Sequence, residues 1–539
     1  MKRHISRSAT AFTIFAFSAL SVICFVAPQT APAQSRVLRA DTRKAEPVEQ
    51  FGTLTPTAPA YNLDMGSLGI EPSIEMAAPQ SAGVAAGGAH MSIAPEVVPT
   101  NTTGAAVIVG SGFNASENVN ILINGTLITS LAANANGYLA ISLNSTTAGF
   151  LLIEYQGVTS GKRVAGVTEI SATGPFVSGL AGGPHAINTT LTNRTMTFQG
   201  AGFPPSTSVS IKRNGVALGA LTSTTAGLIG FTLAPAPNGD TAAVYTADVV
   251  ATPGTMAGIS IEERADAGAL PAEDQNVSRA FVNRAVLNNT TGGFVAYVGE
   301  GFTPGENVTV SCSGGTVVAD PNGSVSQILT FAGPVAAGNV LCALNGVTSL
   351  RVARFAVRLD PQVTNYRSII VAPAFTRLGG TVKVLATGLP ANDTGQIFID
   401  GVLTGTALTD ASGNGTVTIP KPANTFAHAV VWVTSTGLAT AAPLMMNLPT
   451  AGEVSLSGRV VSDEGRGITG TRVTVSGASL AEPISVVTGR RGEFSFEGLT
   501  AGETYIVSVS ARRYTFEEST RVITLNDNAA GVDFTATSR

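Results

Sequence analysis

Val295-Ala-Tyr-Val-Gly-Glu-Gly301-Phe302-Thr-Pro304-Gly-Glu-Asn-Val308-Thr-Val310 reads as a strand, a glycine corner, a polar turn and a second strand. The second strand alternates apolar and polar residues, as a half-buried antiparallel strand requires. The same corner closes Val107-Ile-Val-Gly-Ser-Gly112-Phe113, Met196-Thr-Phe-Gln-Gly-Ala-Gly202-Phe203 and Val382-Lys-Val-Leu-Ala-Thr-Gly388-Leu389. The corner glycines recur 90, 99 and 87 residues apart, one small β-sandwich per repeat. Alternating strands follow at Glu117-Asn-Val-Asn-Ile-Leu-Ile123 and Ser206-Thr-Ser-Val-Ser-Ile211. A second glycine turn comes 22 to 25 residues after each corner, at Gly137, Gly227, Gly323 and Gly413. Such turns often need positive φ, which glycine adopts without strain.

These repeats resemble the IPT/TIG and related bacterial immunoglobulin-like families, in which a Gly-x-Gly-Phe-x-Pro corner opens a Greek-key sandwich. Gly301-Phe302-Thr-Pro304-Gly-Glu-Asn-Val308-Thr-Val310 fits best. The fourth copy departs, with Leu389 for the aromatic and Pro390-Ala391-Asn392 for the turn. After it the strands come faster: Val454–Val460, Arg472–Val475, Ile484–Val487, Glu493–Phe496, Tyr505–Val509 and Val522–Leu525. Gly458-Arg-Val-Val-Ser-Asp463-Glu-Gly465, Gly467-Ile-Thr-Gly470-Thr-Arg-Val473 and Gly492-Glu-Phe494-Ser-Phe496-Glu-Gly-Leu499-Thr-Ala-Gly502-Glu-Thr-Tyr505 resemble the carboxypeptidase regulatory-like family over about 452 to 538. That resemblance implies a transthyretin-like sandwich, often grouped with carbohydrate-binding-like folds, with no catalytic residues of its own. The expected fold class is all-β: four tandem immunoglobulin-like sandwiches (96–180, 181–280, 281–368 and 369–450) and a C-terminal transthyretin-like one (451–539).

The N-terminus reads as an export signal over 1–33. Lys2, Arg3 and Arg7 precede the apolar run Ala11–Val26, and Ala31-Pro-Ala33 offers a cleavage site before Gln34. The run is shorter than the ~20 residues of a membrane span, so the mature chain is expected to be exported with no transmembrane segment. Cys24 would leave with the signal. Residues 34–95, rich in Ala, Pro, Gly and Ser, read as a disordered leader or linker. Cys312 and Cys342 then remain, and in an oxidising compartment they are expected to pair, the alternative being two buried free thiols.

The chain has 539 residues, 44% hydrophobic and only 12% charged, with a formal net charge of -4. It has no basic field to concentrate nucleic acid. Its four histidines, His4, His90, His185 and His428, are scattered, and no His-Glu-x-x-His pattern exists, which excludes a metallopeptidase site. There is no Gly-x-Ser-x-Gly elbow either. Asp410-Ala-Ser412-Gly-Asn414-Gly415 imitates the start of a calcium loop, but Lys421 stands where the bidentate glutamate belongs, so a plain turn is expected and no cofactor. Residues 452–539 contain no lysine, so a Lys–Asn isopeptide cross-link cannot form in the last module. Leu448-Pro-Thr-Ala-Gly452 reads as a linker rather than a sortase signal.

Sugar binding on sandwiches uses exposed aromatic platforms. Trp432, the only tryptophan, lies in the apolar run Ala429–Val433 and is expected inside a core or between domains; Tyr514 is expected to be structural. The sequons at Asn124, Asn193, Asn307 and Asn414 read as turn residues. Together these readings give a non-catalytic exported or cell-surface scaffold or adhesion protein, built as rigid beads whose sheet edges and faces meet a protein or polysaccharide. A carbohydrate-binding protein acting through the C-terminal module is the alternative. An accessory subunit of an envelope secretion or receptor complex is the third. The residues leave the ligand and the oligomeric state unassigned.

Overall fold

The computed structural model describes residues 54–57, 61–68, 89–100, 106–189, 195–235, 239–249, 252, 254–265, 278–376, 380–422, 426–446 and, apart from short loops, 453–538. The export signal, Ala33, Gln34, Cys24 and the 448–452 linker lie outside them. The described chain is strand and turn throughout, with one helical turn at Met65–Leu68.

Each repeat is a sandwich of a small and a five-stranded sheet. In the first, His90–Ala94, Ala106–Ser111 and Leu139–Asn144 form the small sheet. Val97–Pro99, Arg163–Ser171, Gly149–Gly157, Asn118–Ile123 and Thr126–Ala132 form the large one, in that order. The first strand therefore changes sheets at Pro95-Glu96. It ends on the large sheet, parallel to Arg163–Ser171. The other repeats do the same at Pro184-His185, Arg284-Ala285 and Pro373-Ala374, as equivalent backbone bonds show: the carbonyls of Glu96, His185, Ala285 and Ala374 accept from the amides of Glu169, Glu262, Arg358 and Met445 at 2.8–3.0 Å.

The glycine corner has a physical cause. The amides of Phe113, Phe203, Phe302 and Leu389 donate to the carbonyls of Gly137, Gly227, Gly323 and Gly413 at 3.0–3.2 Å, so the two glycine turns are one contact. Gly413 has φ 76°, and a Cβ there would stand 1.9 Å from the Leu389 carbonyl oxygen. No side chain fits at that distance.

The segment expected to be a leader carries strands. His90–Ala94 opens the first sandwich six residues before the expected boundary at 96. Tyr61–Asp64 adds to the small sheet of sandwich one, parallel to Ile141–Asn144, and Thr55–Pro56 adds to that of sandwich two, antiparallel to Phe231–Thr232. Leu63 and Met65 enter the first core at 5% and 0% exposure. Asn62 and Asp64 face the other way and bond Asn144 at 3.0 and 3.2 Å. The alternation of Asn62-Leu-Asp-Met65 is the strand signal, too short to stand out in its Ala/Pro-rich surroundings.

The expectation of beads on a string is corrected by the packing. The small sheets of sandwiches one and two meet through Ala94, Val107, Val109, Ala181, Ala201 and Leu228. The large sheets of two and three meet through Ala242, Val244, Met256, Val286 and Ala356. Small sheets join three to four through Ala296, Val298, Ala372 and Leu385. The large sheet of four then returns onto that of one, with Ala427, Ala429, Val431 and Met445 against Phe150, Leu152, Ala165 and Val167. The four sandwiches close on themselves.

Sequence accounts for this closure. A sheet with one wet face alternates, whereas one covered on both sides is apolar or small at nearly every position. All nine residues of Arg163–Ser171 are buried, as are all six of Ala106–Ser111. Alanine is the commonest residue at these contacts, since a short side chain lets two sheets approach closely.

Trp432 is fully buried in the fourth core, where a Cβ on Gly395 or Gly415 would stand 2.0 or 2.5 Å from its ring. The C-terminal unit is a sandwich of two four-stranded sheets around Val460, Val473, Phe494, Phe496, Tyr505 and Phe534. Tyr514 packs half-buried against that core.

Because Met65 fills sandwich one, Met65→Ala is expected to lower the stability of that sandwich by about 2–5 kcal/mol, read as an earlier denaturation transition. No change would remove the 61–68 segment from the core.

Candidate functional site

The sheet-switching residues of all four repeats face the centre of the closed body. There they line a cavity of about 280 Å³. Its walls are mostly apolar, with Ile93, Val167, Leu180, Ile259, Val282 and Ile370 among them. Two polar regions reach the walls, one through His90 and His185 and the other through Glu96, Asn283 and Arg284, and each continues behind them.

In the first region His90, from sandwich one, and His185, from sandwich two, lie 5.2 Å apart between ring centroids, with Phe281 of sandwich three 4.4 Å from His185. His185 Nε2 meets the Ala280 carbonyl. Arg279 stands 5.5 Å over Phe281 and pairs with Glu300 at 3.0 Å. Burial pushes the His185 pKa down to about 4, with Arg279 assisting, even though the Ala280 carbonyl pulls the other way. Burial, His185 and Arg279 hold His90 well below its usual value. Both imidazoles are therefore neutral at pH 7. Sequence reading treated these two as scattered, since nothing in a sequence says that the first strands of different repeats meet.

In the second region, Arg367, just before the first strand of sandwich four, reaches Glu169 of sandwich one with two bonds of 2.7 and 2.9 Å and donates to the Ala439 carbonyl at 2.6 Å. Arg284 of sandwich three lies 4.7 Å over the Tyr366 ring and donates to Thr387 Oγ1 at 3.0 Å and to the Tyr366 carbonyl. Asn283 bonds the same Thr387 Oγ1 at 2.7 Å. Glu96 completes the group. Burial pushes its carboxyl up to about 7, against Ser368, Arg284 and Arg367, with Glu169 adding to the rise. The readable signal was a lone charge inside an apolar strand, as in Thr168-Glu169-Ile170.

A second set of carboxylates serves the sandwiches themselves. Glu306, in the polar turn after the third corner, accepts from the amides of Thr303, Thr348 and Ser349 and from Ser349 Oγ at 2.6–2.9 Å. Glu117 does the same with Asn114, Thr159 and Ser160. Asp393 accepts from the Ser435 amide in the fourth repeat. Burial works to raise Glu306, but these donors outweigh it and hold the pKa at about 2. The signal was present in sequence as Gly157-Val-Thr-Ser160 and Gly346-Val-Thr-Ser349, each 40 residues beyond its glutamate.

The residues singled out from sequence fall as follows. Cys312 and Cys342 are bridged, with Cα atoms 4.9 Å apart, joining the turn after Asn307–Val310 to the neighbouring strand Gly338–Gly346 at a place where repeat one pairs Ile123 with Ile153. Asp410 accepts from the amides of Ser412 and Asn414 at 2.8 and 2.9 Å, so its Oδ1 is committed to its own turn. Asp320 and Asn134 hold the matching turns in the same way. Asn124 sits in a hairpin turn with φ 49° and accepts from the Leu152 amide, while Asn414 Nδ2 reaches Asp410; Asn307 is exposed and Asn193 lies outside the described residues. His428 is buried against Asp400 at 2.5 Å. No group of three or more His, Cys, Asp or Glu side chains among the described residues could hold a metal ion. No described helix is long and apolar enough to cross a membrane.

The sheet edges differ between repeats. Sandwiches one and two have their small-sheet edge covered by Tyr61–Asp64 and Thr55–Pro56. The equivalent edges of three and four, Val325–Ala332 and Gly415–Pro420, pair with no further strand among the described residues. Gln327, Thr416 and Thr418 are exposed along them.

The chain is thus a nearly all-β protein of many sheets. Residues 455–537 match the carboxypeptidase regulatory-like domain family. No curated protein matches the chain. Among solved structures it is similar to the Bacillus anthracis TIE protein (10% identity, 84% of this chain and 75% of that one, TM-score 0.14). It is also similar to invasin, a bacterial integrin-binding protein (15%, 69% and 80%, TM-score 0.15), and to BcpA, the major pilin subunit of Bacillus cereus (9%, 49% and 99%, TM-score 0.14). At such scores these likenesses carry no argument about this chain.

Two titrations follow. Glu306 has a depressed pKa, so its contribution is complete above the ordinary carboxylate range near 4.5 and is lost as pH falls from there to about 2. Glu306→Gln should flatten the stability of sandwich three over that window and cost about 1–3 kcal/mol at pH 7. Glu96 has a raised pKa, so the closed body is most stable below about 4.5 and loses stability as pH rises towards about 7. Glu96→Gln should remove that slope and leave the protein more stable at pH 8, by denaturant titration; an unchanged slope would place the titration elsewhere.

Proposed function

We propose that the chain is a non-catalytic, exported or surface-displayed scaffold that holds partners by strand addition at the free small-sheet edges of sandwiches three and four. The observation that carries this reading is the difference between edges. Two of four equivalent edges are filled by the chain's own N-terminal strands, so an extended segment can complete this sheet, and the other two pair with no further strand among the described residues. The IPT/TIG-like corners, the signal-like N-terminus and the cross-linked third sandwich support an extracellular setting. The closed body gives such edges a fixed spacing, which a flexible string would not. Its buried ionic groups serve closure and corner capping rather than chemistry. The carbohydrate-binding alternative, which acts through the C-terminal module, gains no platform from Trp432, which lies in the core of the fourth sandwich.

The test uses source cells carrying the full chain, either unaltered or with Gln327→Lys, Thr416→Lys and Thr418→Lys, which charge the free edges while leaving the cores intact. Labelling of intact cells by a membrane-impermeant reagent, with adhesion or co-purification of a protein partner that the triple variant loses, is the expected result. A chain found only inside the cell, or a partner retained undiminished by the variant, overturns the reading.

A further inference from the structure

The central cavity has features that closure alone does not require. Three polar atoms of its lining residues are buried without a hydrogen-bond partner: His90 Nδ1, Glu96 Oε2 and Arg284 Nε. Arg284 is 4% exposed. Unpaired buried groups of this kind cost about 1–3 kcal/mol each, a cost that a ligand bonding them would recover. A cavity of about 280 Å³ is also far beyond the space one bridging water needs.

We propose that this cavity is a binding site for a small neutral amphipathic molecule, an apolar body with a hydroxyl or amide head. The apolar body lies along Ile93, Val167, Leu180, Ile259 and Ile370, and the head meets Glu96 and Arg284. The head must both donate and accept, because Glu96 Oε2 offers an acceptor and Arg284 Nε a donor. Above about pH 7, where Glu96 is ionised, the ligand must be neutral because the charges of the lining balance: Glu96 faces Arg284 and both histidines are uncharged. A charged ligand would bring an uncompensated charge out of water. All four sandwiches contribute wall residues, so occupancy would favour the closed body over any opened form by mass action.

The experiment titrates the full chain at pH 8, where Glu96 is ionised, with 1-octanol, octanoate and octylammonium by calorimetry, and soaks crystals with 8-bromo-1-octanol to find the bromine by anomalous scattering. The expected result is saturable one-to-one binding of 1-octanol with a rise in melting temperature, and binding about tenfold or more weaker for both ions. The bromine should appear between Ile259 and Ile370. Glu96→Ala should weaken octanol binding by about tenfold, and the cavity-filling Ser92→Phe should abolish it. Should Ser92→Phe fail to fold, the bromine position decides alone. Absence of saturable octanol binding, ions binding as tightly as the alcohol, or bromine only outside the cavity overturns the proposal and leaves the space to water.

Discussion

Arg367 carries a guanidinium into the seam between the first and fourth sandwiches, where Glu169 and the Ala439 carbonyl are its partners. A charge so buried is tolerated only when it is bonded on all sides, and each of its bonds here depends on a residue far away in sequence. The closed arrangement therefore stands or falls as a unit. The apolar outer faces of the large sheets provide the driving force, since Phe150, Leu152, Val431 and Met445 would otherwise face water. The ion pair provides the register, because apolar faces of alanine and valine slide cheaply and a two-point bond does not.

Closure also links the levels of the structure. Each repeat's first strand changes sheets after five or so residues, and the four changeover points are what meet at the centre. A local backbone feature thus decides which side chains share a cavity. The same logic applies at the periphery, where Leu63 and Met65 make the N-terminal segment part of sandwich one rather than a tether to it. The third sandwich adds a covalent link near the turn where sandwiches one, two and four use Asn-Gly or Asp-Gly, so that turn relies on backbone chemistry in those three copies and is backed by sulfur in the third sandwich.

Much of this was legible in the sequence. The corner and turn glycines identify the sandwiches because steric exclusion at Gly137 or Gly413 permits no substitute. The glycine and aromatic order of 455–537 identifies the last module. The apolar run around Trp432 points to a core or an inter-domain position, and it lies in the fourth core. The closed arrangement was not legible, because period-two analysis asks whether a strand has one apolar face. Arg163–Ser171 is buried on both faces, with Arg163 and Glu169 on the same face as Ala165 and Val167, and nothing in it names the strand that covers the second. Glu96, Glu169, Arg284 and Arg367 were passed over for a related reason. Each is a charge with no opposite charge near it in sequence, and its partners include residues of another repeat. The short strands at 55–56 and 61–64 were hidden by composition, since two to four residues cannot outweigh the Ala, Pro and Gly around them.

The claim on which the account rests is that sandwich four returns to sandwich one, and a double-mutant cycle on Glu169→Gln and Arg367→Met in the full chain tests it most directly. The two positions are 198 residues apart and belong to different repeats. The account predicts that each single change destabilises by about 3–5 kcal/mol and that the double change costs far less than their sum, a coupling of roughly 2 kcal/mol or more. Additive effects, with no coupling between the two, would contradict closure and return the four sandwiches to an open string.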